Sequence, residues 1–556
     1  MDAINGLFSR LYDVRYLFLG VLGLYFSYRL MRCMLGAYAV RTRYRDIVSL
    51  PRHPLWGNLV NAGEKLNPSR GIHPDYGFEE IWHELGEPSA YLVDLAPVDR
   101  GFLVVAEPQV AEALVQPSDR FKYSVPKSDT YHALTPLIGS ESMITKEGED
   151  WRQMRKRFNP GFQPKHILSL AGSVVSKTET FVGRLKTAAE TGITFKLGDY
   201  AKDLTTDIIT GLAISKDLNA QSIPEGTGEK SLTGLLTASR RLSELCYAVG
   251  QGLNWSMVDP IRPMKAIFYE QIFDRKLTTI VAAQLSEMQN EKSQAAKSIT
   301  QLAVSGMQPS AKLIQSCVHQ IKSFLFAGQD TTATLIQWLC YEMSKAGHSA
   351  HNAEILKQMR AEHDEVFGAE DAFSAFHVLS QPGKAESTLG TKLPYTTAFV
   401  KETLRLHPPA ATARMLPEAD TNTPALEIEI SGKMTRIDGL RIYPSQWLIH
   451  RNPKVWGPDA HEFRPERWLD EEYMSKLPPG SWRPFERGPR NCIGQELAML
   501  EGRIVLACVA RGLEFEKAGF TGTEVDGVMQ EEVYNVHNVT SVPVDGMMMR
   551  VKETKN

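Results

Sequence analysis

One stretch constrains this chain more than any other: Phe485-Glu486-Arg487-Gly488-Pro489-Arg490-Asn491-Cys492-Ile493-Gly494. It reads F-x-x-G-x-R-x-C-x-G and runs into residues 495–509 (QELAMLEGRIVLACV), whose apolar positions recur at helical spacing. The pattern puts a cysteine on a glycine-punctuated turn that enters a helix N-terminus. There the helix dipole, free backbone N–H groups, Arg487 and Arg490 are all expected to favour the thiolate. Gly488 and Gly494 are expected to let the backbone approach a flat ligand closely.

No second Cys or His stands at metal spacing beside Cys492, so a thiolate presented alone suits an axial ligand of haem iron. The chain has six cysteines in 556 residues, none in a C-x-x-C pair, which excludes a disulfide framework and leaves a zinc ribbon unsupported. Cys317, Cys340 and Cys508 sit in apolar helical runs and read as small buried hydrophobes. Cys33 belongs to an apolar N-terminal segment, and the surroundings of Cys246 are uninformative. Taken over its ten positions, the cysteine segment resembles the signature of the cytochrome P450 family, the haem-thiolate monooxygenases.

Other motifs follow in that family's order, over residues 50–553. Ala327-Gly328-Gln329-Asp330-Thr331-Thr332 lies inside a long helical pattern, where glycine costs about 1 kcal/mol relative to alanine. Small Ala327 and Gly328 leave room for a ligand against the helix. The bland reading is a kinked core helix with back-bonded threonines. The order A-G-x-D-T-T resembles the family's oxygen-activating helix, in which the Thr331 hydroxyl donates toward dioxygen and Asp330 leads protons in from solvent. Trp151 and Arg155 (W-R-Q-M-R) share a helix face; the resemblance implies that they lie over the haem, with Arg155 on a propionate. Arg414 and Arg490 match further propionate partners, Arg414 without a tight motif around it, and Phe485 belongs with the haem-binding positions. Planar, permanently charged guanidinium suits a carboxylate. Glu402 and Arg405, three apart, with Arg467 in F-R-P-E-R-W, resemble the family's buried Glu-Arg-Arg triad, a structural device that holds the Cys492 loop. Arg152, Lys156 and Arg157 crowd the Trp151 helix and read equally as a solvated basic face or a docking surface for an acidic electron donor.

Residues 16–28 (YLFLGVLGLYFSY) carry no charge, and residues 31–40 are mostly apolar, with Arg29 and Arg32 at the join. The window is long enough to span a bilayer if both arginines snorkel. Arg41, Arg43 and Arg45 downstream predict that the bulk of the protein stays cytoplasmic. An uncleaved anchor over residues 1–45, single-span or monotopic, followed by one haem-thiolate domain over residues 46–556, is the expected organisation. A helix lying on the membrane is the bland alternative. Asn254-Trp255-Ser256 and Asn538-Val539-Thr540 match the glycosylation pattern, which means nothing on the cytoplasmic side. Residues 222–230, 369–392 and 521–532 read as loops, and short alternating runs between residues 414 and 450 read as strands. The expected fold is mainly α with a minor β region.

Lys and Arg (62) nearly balance Asp and Glu (65), which argues against a nucleic-acid partner. Gly226-Thr227-Gly228-Glu229-Lys230-Ser231 fails the phosphate-loop spacing, and no dinucleotide fingerprint is present. With 64 residues after Cys492, too few for a flavin module, electrons are expected from a separate NADPH-cytochrome P450 reductase. The resemblance thus implies a haem b monooxygenase of the endoplasmic reticulum membrane, facing the cytoplasm and of fungal type. It would insert one oxygen atom into a lipophilic small molecule, with a secondary metabolite such as a polyketide or terpenoid as the guess. Residues 121–143 and 239–269 are apolar and aromatic enough to line its pocket. Two rivals are a reductase-independent haem-thiolate isomerase or dehydratase and a non-enzymatic haem sensor. Asp330 and Thr331 argue against both.

Overall fold

Apolar residues at helical spacing dominate the chain, and helices dominate its architecture. The computed structural model describes residues 2–222, 233–250, 261–290, 298–381, 383–419, 425–519, 524–525, 528–529 and 533–554. The principal helices are α1 (Asp2–Arg43), α2 (Gly148–Phe158), α3 (Ala171–Thr191), α4 (Leu197–Ile214), α5 (Ile261–Asn290), α6 (Ala311–Ser344), α7 (Pro394–Leu406) and α8 (Gln495–Val509). The chain divides into two compact units. One comprises residues 1–67, 77–105 and 415–443, and the other residues 68–76, 106–414 and 444–556.

In the smaller unit, Ala90–Val93 pairs antiparallel with Phe102–Val105, and Glu427–Ile430 pairs antiparallel with Lys433–Arg436. The C-terminal end of α1 is fastened to these segments. Arg41 donates to Asp94 at 2.8 Å and to the Ala96 carbonyl at 2.7 Å. The Tyr44 hydroxyl donates to the Asp438 carbonyl. Further back, Leu19, Leu24, Phe26, Leu30, Met31, Leu35 and Tyr38 of α1 are exposed. Yet no helix among the described residues is long and apolar enough to cross a membrane. The span expected over residues 16–40 is therefore not found; Arg29 and Arg32 interrupt the apolar window near its middle.

The larger unit is built around α6. Ser310 caps its start, accepting from the Leu313 N–H at 3.2 Å, and residues such as Leu335, Ile336, Leu339 and Cys340 are buried. Helix α4 packs along α6, with Gly328 at the closest approach: a Cβ there would stand 2.9 Å from Ile209. Helix α8 is buried through Leu500, Ile504, Val505 and Leu506 and packs on α3, α6 and α7. A small antiparallel sheet joins Phe195–Lys196, Met548–Glu553 and Leu513–Lys517. A hairpin of Asn535–His537 with Ser541–Pro543 brings residues 538–540 in beside α6.

Two loop expectations change. Residues 369–392 contain the helices Ser374–Ser380 and Lys384–Thr391, because Ala375, Leu379, Ala385 and Leu389 have a core to enter. Within residues 521–532, Glu524–Val525 pairs with Val528–Met529. Residues 223–232, which include the rejected phosphate-loop pattern, and the Asn254 glycosylation pattern lie outside the described residues.

Candidate active site

The turn before α8 carries Cys492 into a cavity of about 320 Å³, and the accessible surface of its side chain faces that space. The Cys492 N–H donates to the Phe485 carbonyl at 2.8 Å, closing the loop on itself. Gly488 adopts φ +72°, and a Cβ on it would stand 2.2 Å from the Val115 carbonyl oxygen. Its glycine is thus required by packing of the loop on the chain at Val115, and not by a flat ligand. Gly494 does face the ligand side: its Cβ position lies 3.8 Å from Cys492 Sγ.

Burial pushes the Cys492 thiol up from its ordinary value, while the N–H groups of Gly494 and Gln495, Arg155 and Lys127 pull it down. The helix N-terminus acts as expected, but the arginines do not. Arg487 reaches away to Glu112 at 3.0 Å. Arg490 donates to Glu147 and, at 3.0 Å, to the Met143 carbonyl. The cation beside the thiol is Arg155 of α2, which grips the Cys492 loop through the Asn491 carbonyl at 2.7 Å and its Oδ1 at 3.0 Å. Cys33 on α1 is exposed, while the other four cysteines behave as buried hydrophobes: desolvation raises Cys246 and Cys317 to about 11, and raises Cys340 and Cys508 further.

Around one side of the cavity stand cations from four separate segments. Trp151 and Arg155 come from α2, Arg490 from the cysteine loop, and Lys127 from the segment before α2; all four line the cavity. Arg414 joins them through its effect on Lys127, although it is fully buried and does not itself line the space. The Arg490 guanidinium lies 4.9 Å from the Trp151 ring centroid. Lys127 falls within residues 121–143, the segment expected to line the pocket, but no motif marks it as a cation of the site, and only the fold brings it to Arg414 and Arg490. Burial first, then those two arginines, holds its ammonium well below the ordinary lysine range. Burial also lowers Arg490 to about 10. Arg414 donates one nitrogen to the Val125 carbonyl at 3.1 Å and to Ser124 at 3.3 Å, while its Nε and Nη2 are buried without a partner. Orphaned guanidinium nitrogens cost free energy unless an acceptor arrives. Converging cations and orphan donors fit a pair of carboxylates.

The facing wall is Ala327, Gly328, Thr331 and Thr332 of α6, with Leu134, Ile138 and Phe324 completing an apolar chamber. The Thr331 hydroxyl donates back to the Ala327 carbonyl at 2.7 Å, the arrangement of a back-bonded threonine, yet the side chain lines the cavity. Asp330 does not line it; its carboxylate accepts from the Thr540 hydroxyl and lies 3.3 Å from Lys202 Nζ. Thr540, noted in the sequence only within a glycosylation pattern, reaches the cavity together with Val539.

Behind the loop, Glu402 and Arg405 of α7 meet Arg467. Glu402 accepts from Arg405 at 2.8 and 2.9 Å, from Arg467 at 3.0 Å and from Trp468 at 2.9 Å. Burial raises the Glu402 carboxyl, but the two arginines outweigh it and the net shift is downward. The triad is wired to the loop through His450, whose Nδ1 meets the Arg405 carbonyl at 2.9 Å and whose Nε2 accepts from the Arg483 N–H at 3.0 Å.

The family model for Cytochrome P450 matches residues 50–525. The chain belongs to the cytochrome P450 family. It is 29% identical over 510 residues to cytochrome P450 monooxygenase acrF of Aspergillus aculeatus, covering 84% of this chain and 94% of that protein. It is 30% identical over 441 residues to cytochrome P450 monooxygenase polC of Polytolypa hystricis, covering 77% and 74%. The crystal structure of the cytochrome P450DA heme domain superposes with TM-score 0.68 at 18% identity, over 92% of this chain and 98% of the other. That likeness supports the fold, mainly α with a minor β part. The fungal relatives are monooxygenases, and the chain is accordingly an oxidoreductase of that class, with haem iron as the family's cofactor. The residues present fit haem: a cavity-facing thiol, a small-residue wall opposite, and cations with unmatched donors at one edge.

Proposed function

We propose that this P450 inserts one atom of dioxygen into a lipophilic small molecule, with Cys492 as the axial thiolate. The observation that carries the reading is that the Cys492 thiol, the cations Arg155, Arg490 and Lys127 and the α6 wall at Thr331 line one cavity. Haem iron, when bound, supplies dioxygen activation and oxygen transfer. Arg155, Arg414, Arg490 and Lys127 would hold the propionates and Trp151 and Phe485 would pack on the ring, while Leu134, Ile138 and Phe324 exclude water around an apolar substrate. Asp330 and Thr331 govern proton entry. The acid–alcohol pair favours oxygen insertion over the isomerase and sensor alternatives, because neither alternative needs protons led to the cavity.

Electrons come from a membrane-bound NADPH-dependent reductase, and the exposed Arg152 and Lys156 of α2 offer it a basic surface. The exposed apolar side chains of α1 support attachment to the endoplasmic reticulum membrane through residues 1–45, with the catalytic body, residues 46–556, in the cytoplasm. A secondary metabolite such as a polyketide or terpenoid is the proposed substrate, and the apolar chamber suits such a molecule. The deciding measurement is the Soret band of the reduced, carbon monoxide-bound holoprotein. A thiolate-type position that Cys492→Ala abolishes is expected; a histidine-type position in the wild type refutes the ligand. Substrate-dependent NADPH oxidation across a panel of polyketides, terpenoids and fatty acids tests the monooxygenase reading, and its absence throughout favours a rival. Deleting residues 1–45 should move the protein from membrane pellet to supernatant.

A further inference from the structure

We propose that Thr540, on the C-terminal hairpin, is the relay through which Asp330 delivers protons to the cavity. The inference rests on the oxygen chemistry proposed above and adds to it a residue outside α6. Asp330 is buried and does not line the cavity, so it needs an intermediary. Thr331 does line the cavity, but its hydroxyl donates to the Ala327 carbonyl and not to Asp330. Thr540 satisfies both conditions: it lines the cavity, and its hydroxyl is hydrogen-bonded to Asp330 Oδ2. On the other side of the same carboxylate, Oδ1 lies 3.3 Å from the Nζ of Lys202, whose side chain is 32% exposed against 4% for Asp330. Solvent, Lys202, Asp330, Thr540 and the cavity thus form one polar path through an otherwise apolar wall.

The hairpin fixes the inner end of this path. Val536 pairs with Val542 and His537 with Ser541, the Asn538 N–H donates to the Thr540 carbonyl at 3.0 Å, and the Ser541 N–H donates to the Pro409 carbonyl at 2.9 Å. The outer end is fixed by α4, where the Thr205 hydroxyl donates to the Gln329 carbonyl at 2.9 Å, beside Asp330.

The transfer balances in protons and moves no electrons. The Lys202 ammonium gives a proton to Asp330 Oδ1, forming the carboxylic acid, and the lysine amine regains one from solvent. A half-turn of the carboxyl about Cβ–Cγ carries the proton from the Lys202 side to the Thr540 side, and the acid O–H then donates to Thr540 Oγ1, which reverses the sense of the hydrogen bond and turns the threonine O–H into the cavity. An acceptor in the cavity takes the threonine proton as Thr540 Oγ1 takes the acid's proton. The carboxylate is re-formed with the new threonine O–H already donating to it, and one proton has crossed.

Thr540→Val keeps shape and removes the relay; Thr540→Ser restores the hydroxyl. The first readout is independent of turnover: the infrared carboxylate band of Asp330 in the resting holoprotein, assigned as the difference between wild type and Asp330→Asn. The band should shift in Thr540→Val and return in Thr540→Ser. The second is basal NADPH oxidation at saturating reductase without organic substrate, in H2O and D2O. Thr540→Val should slow it about tenfold or more, a part of the roughly 10²–10⁴ that a positioned proton donor contributes, with an enlarged solvent isotope effect. Thr540→Ser should restore both rate and isotope effect. An unmoved Asp330 band in Thr540→Val, or an unchanged rate and isotope effect, overturns the relay. The infrared readout still judges it if the wild type lacks the thiolate-type Soret band, a result that would overturn the function reading instead.

Discussion

Replacing Glu402 by leucine tests whether the buried triad holds the cysteine loop. The carboxylate is fully buried and is met by both Arg405 and Arg467, themselves fully buried. Its removal leaves Arg405 without an anion and Arg467 with only the Asp459 carboxylate at 3.5 Å. Arg405 retains the carbonyls of His450 at 2.7 Å and Glu462 at 2.9 Å, and Arg467 retains the Tyr473 hydroxyl at 2.9 Å. The charges therefore stay partly solvated by dipoles. A broken buried pair costs about 3–5 kcal/mol, and the retained dipoles put Glu402→Leu toward the lower end. An internal control is the pair Arg464–Asp459 at 2.7 Å, where the arginine side chain is 36% exposed; its removal should cost only about 0.2–1 kcal/mol. Urea unfolding of the apoprotein, followed by tryptophan fluorescence, measures both. Because His450 connects Arg405 to the Arg483 N–H, Glu402→Leu should also lower haem retention under conditions where the apoprotein is still folded. A loss no larger than that of Arg464→Ala, with full haem content, would refute the coupling between triad and loop.

Arg414→Leu should separate haem binding from folding: the orphaned nitrogens already burden the apoprotein, so its urea stability should hold within about 1 kcal/mol while haem transfer to apomyoglobin accelerates. Gly488→Ala should cost about 1–3 kcal/mol for positive φ alone, and more because its Cβ meets the Val115 carbonyl; loss of the Soret band on expression is the readout. Glu501 of α8 is buried, and burial alone raises its carboxyl well above the ordinary range. A carboxyl raised in the folded state gives stability that is full below the unfolded value near 4.3 and declines as pH rises toward the folded one. Glu501→Gln should therefore be more stable than wild type at pH 7.5, with the advantage shrinking as the urea titration is repeated toward pH 4. No gain at pH 7.5 would mean that Glu501 has a charged-state partner in solution.

The cysteine signature and the spacing of Glu402, Arg405 and Arg467 were legible because each is set by backbone geometry over a few residues. Partners assigned by proximity in sequence were less reliable. Arg487 is five residues from Cys492 yet reaches Glu112, while Arg155, some 337 positions earlier, reaches Asn491 beside the cysteine. Lys127 and Lys202 carry no local pattern, and Thr540 only a glycosylation pattern unrelated to the site; their roles exist only where α4, α6, the pre-α2 segment and the C-terminal hairpin meet. The helices within residues 369–392 escaped a composition reading because a few buried positions, Leu379 and Leu389 among them, outweigh polar and glycine content. The same limit applied to α1, where apolar content suggested a span and the arginines within it weigh against one.

The site has a rigid half and a replaceable half. Cys492 is held by its own loop through Phe485, by α2 through Arg155 on Asn491, and by the triad through His450 on Arg483. These restraints arrive from separate parts of the chain, so no single change in the chamber lining relaxes them all. Leu134 and Ile138, by contrast, contribute apolar surface, and Val539 sits on a hairpin whose register is kept by its own strand pairing. Volume and shape can change there without disturbing the thiol, since repacking an apolar lining costs about 1–3 kcal/mol while breaking a buried ion pair costs more. Thr540 lies on the replaceable half but is tied to Asp330. A substrate that presses on the hairpin therefore acts on the same residue that the proton path requires, and this links occupancy of the chamber to proton entry through a single hydroxyl.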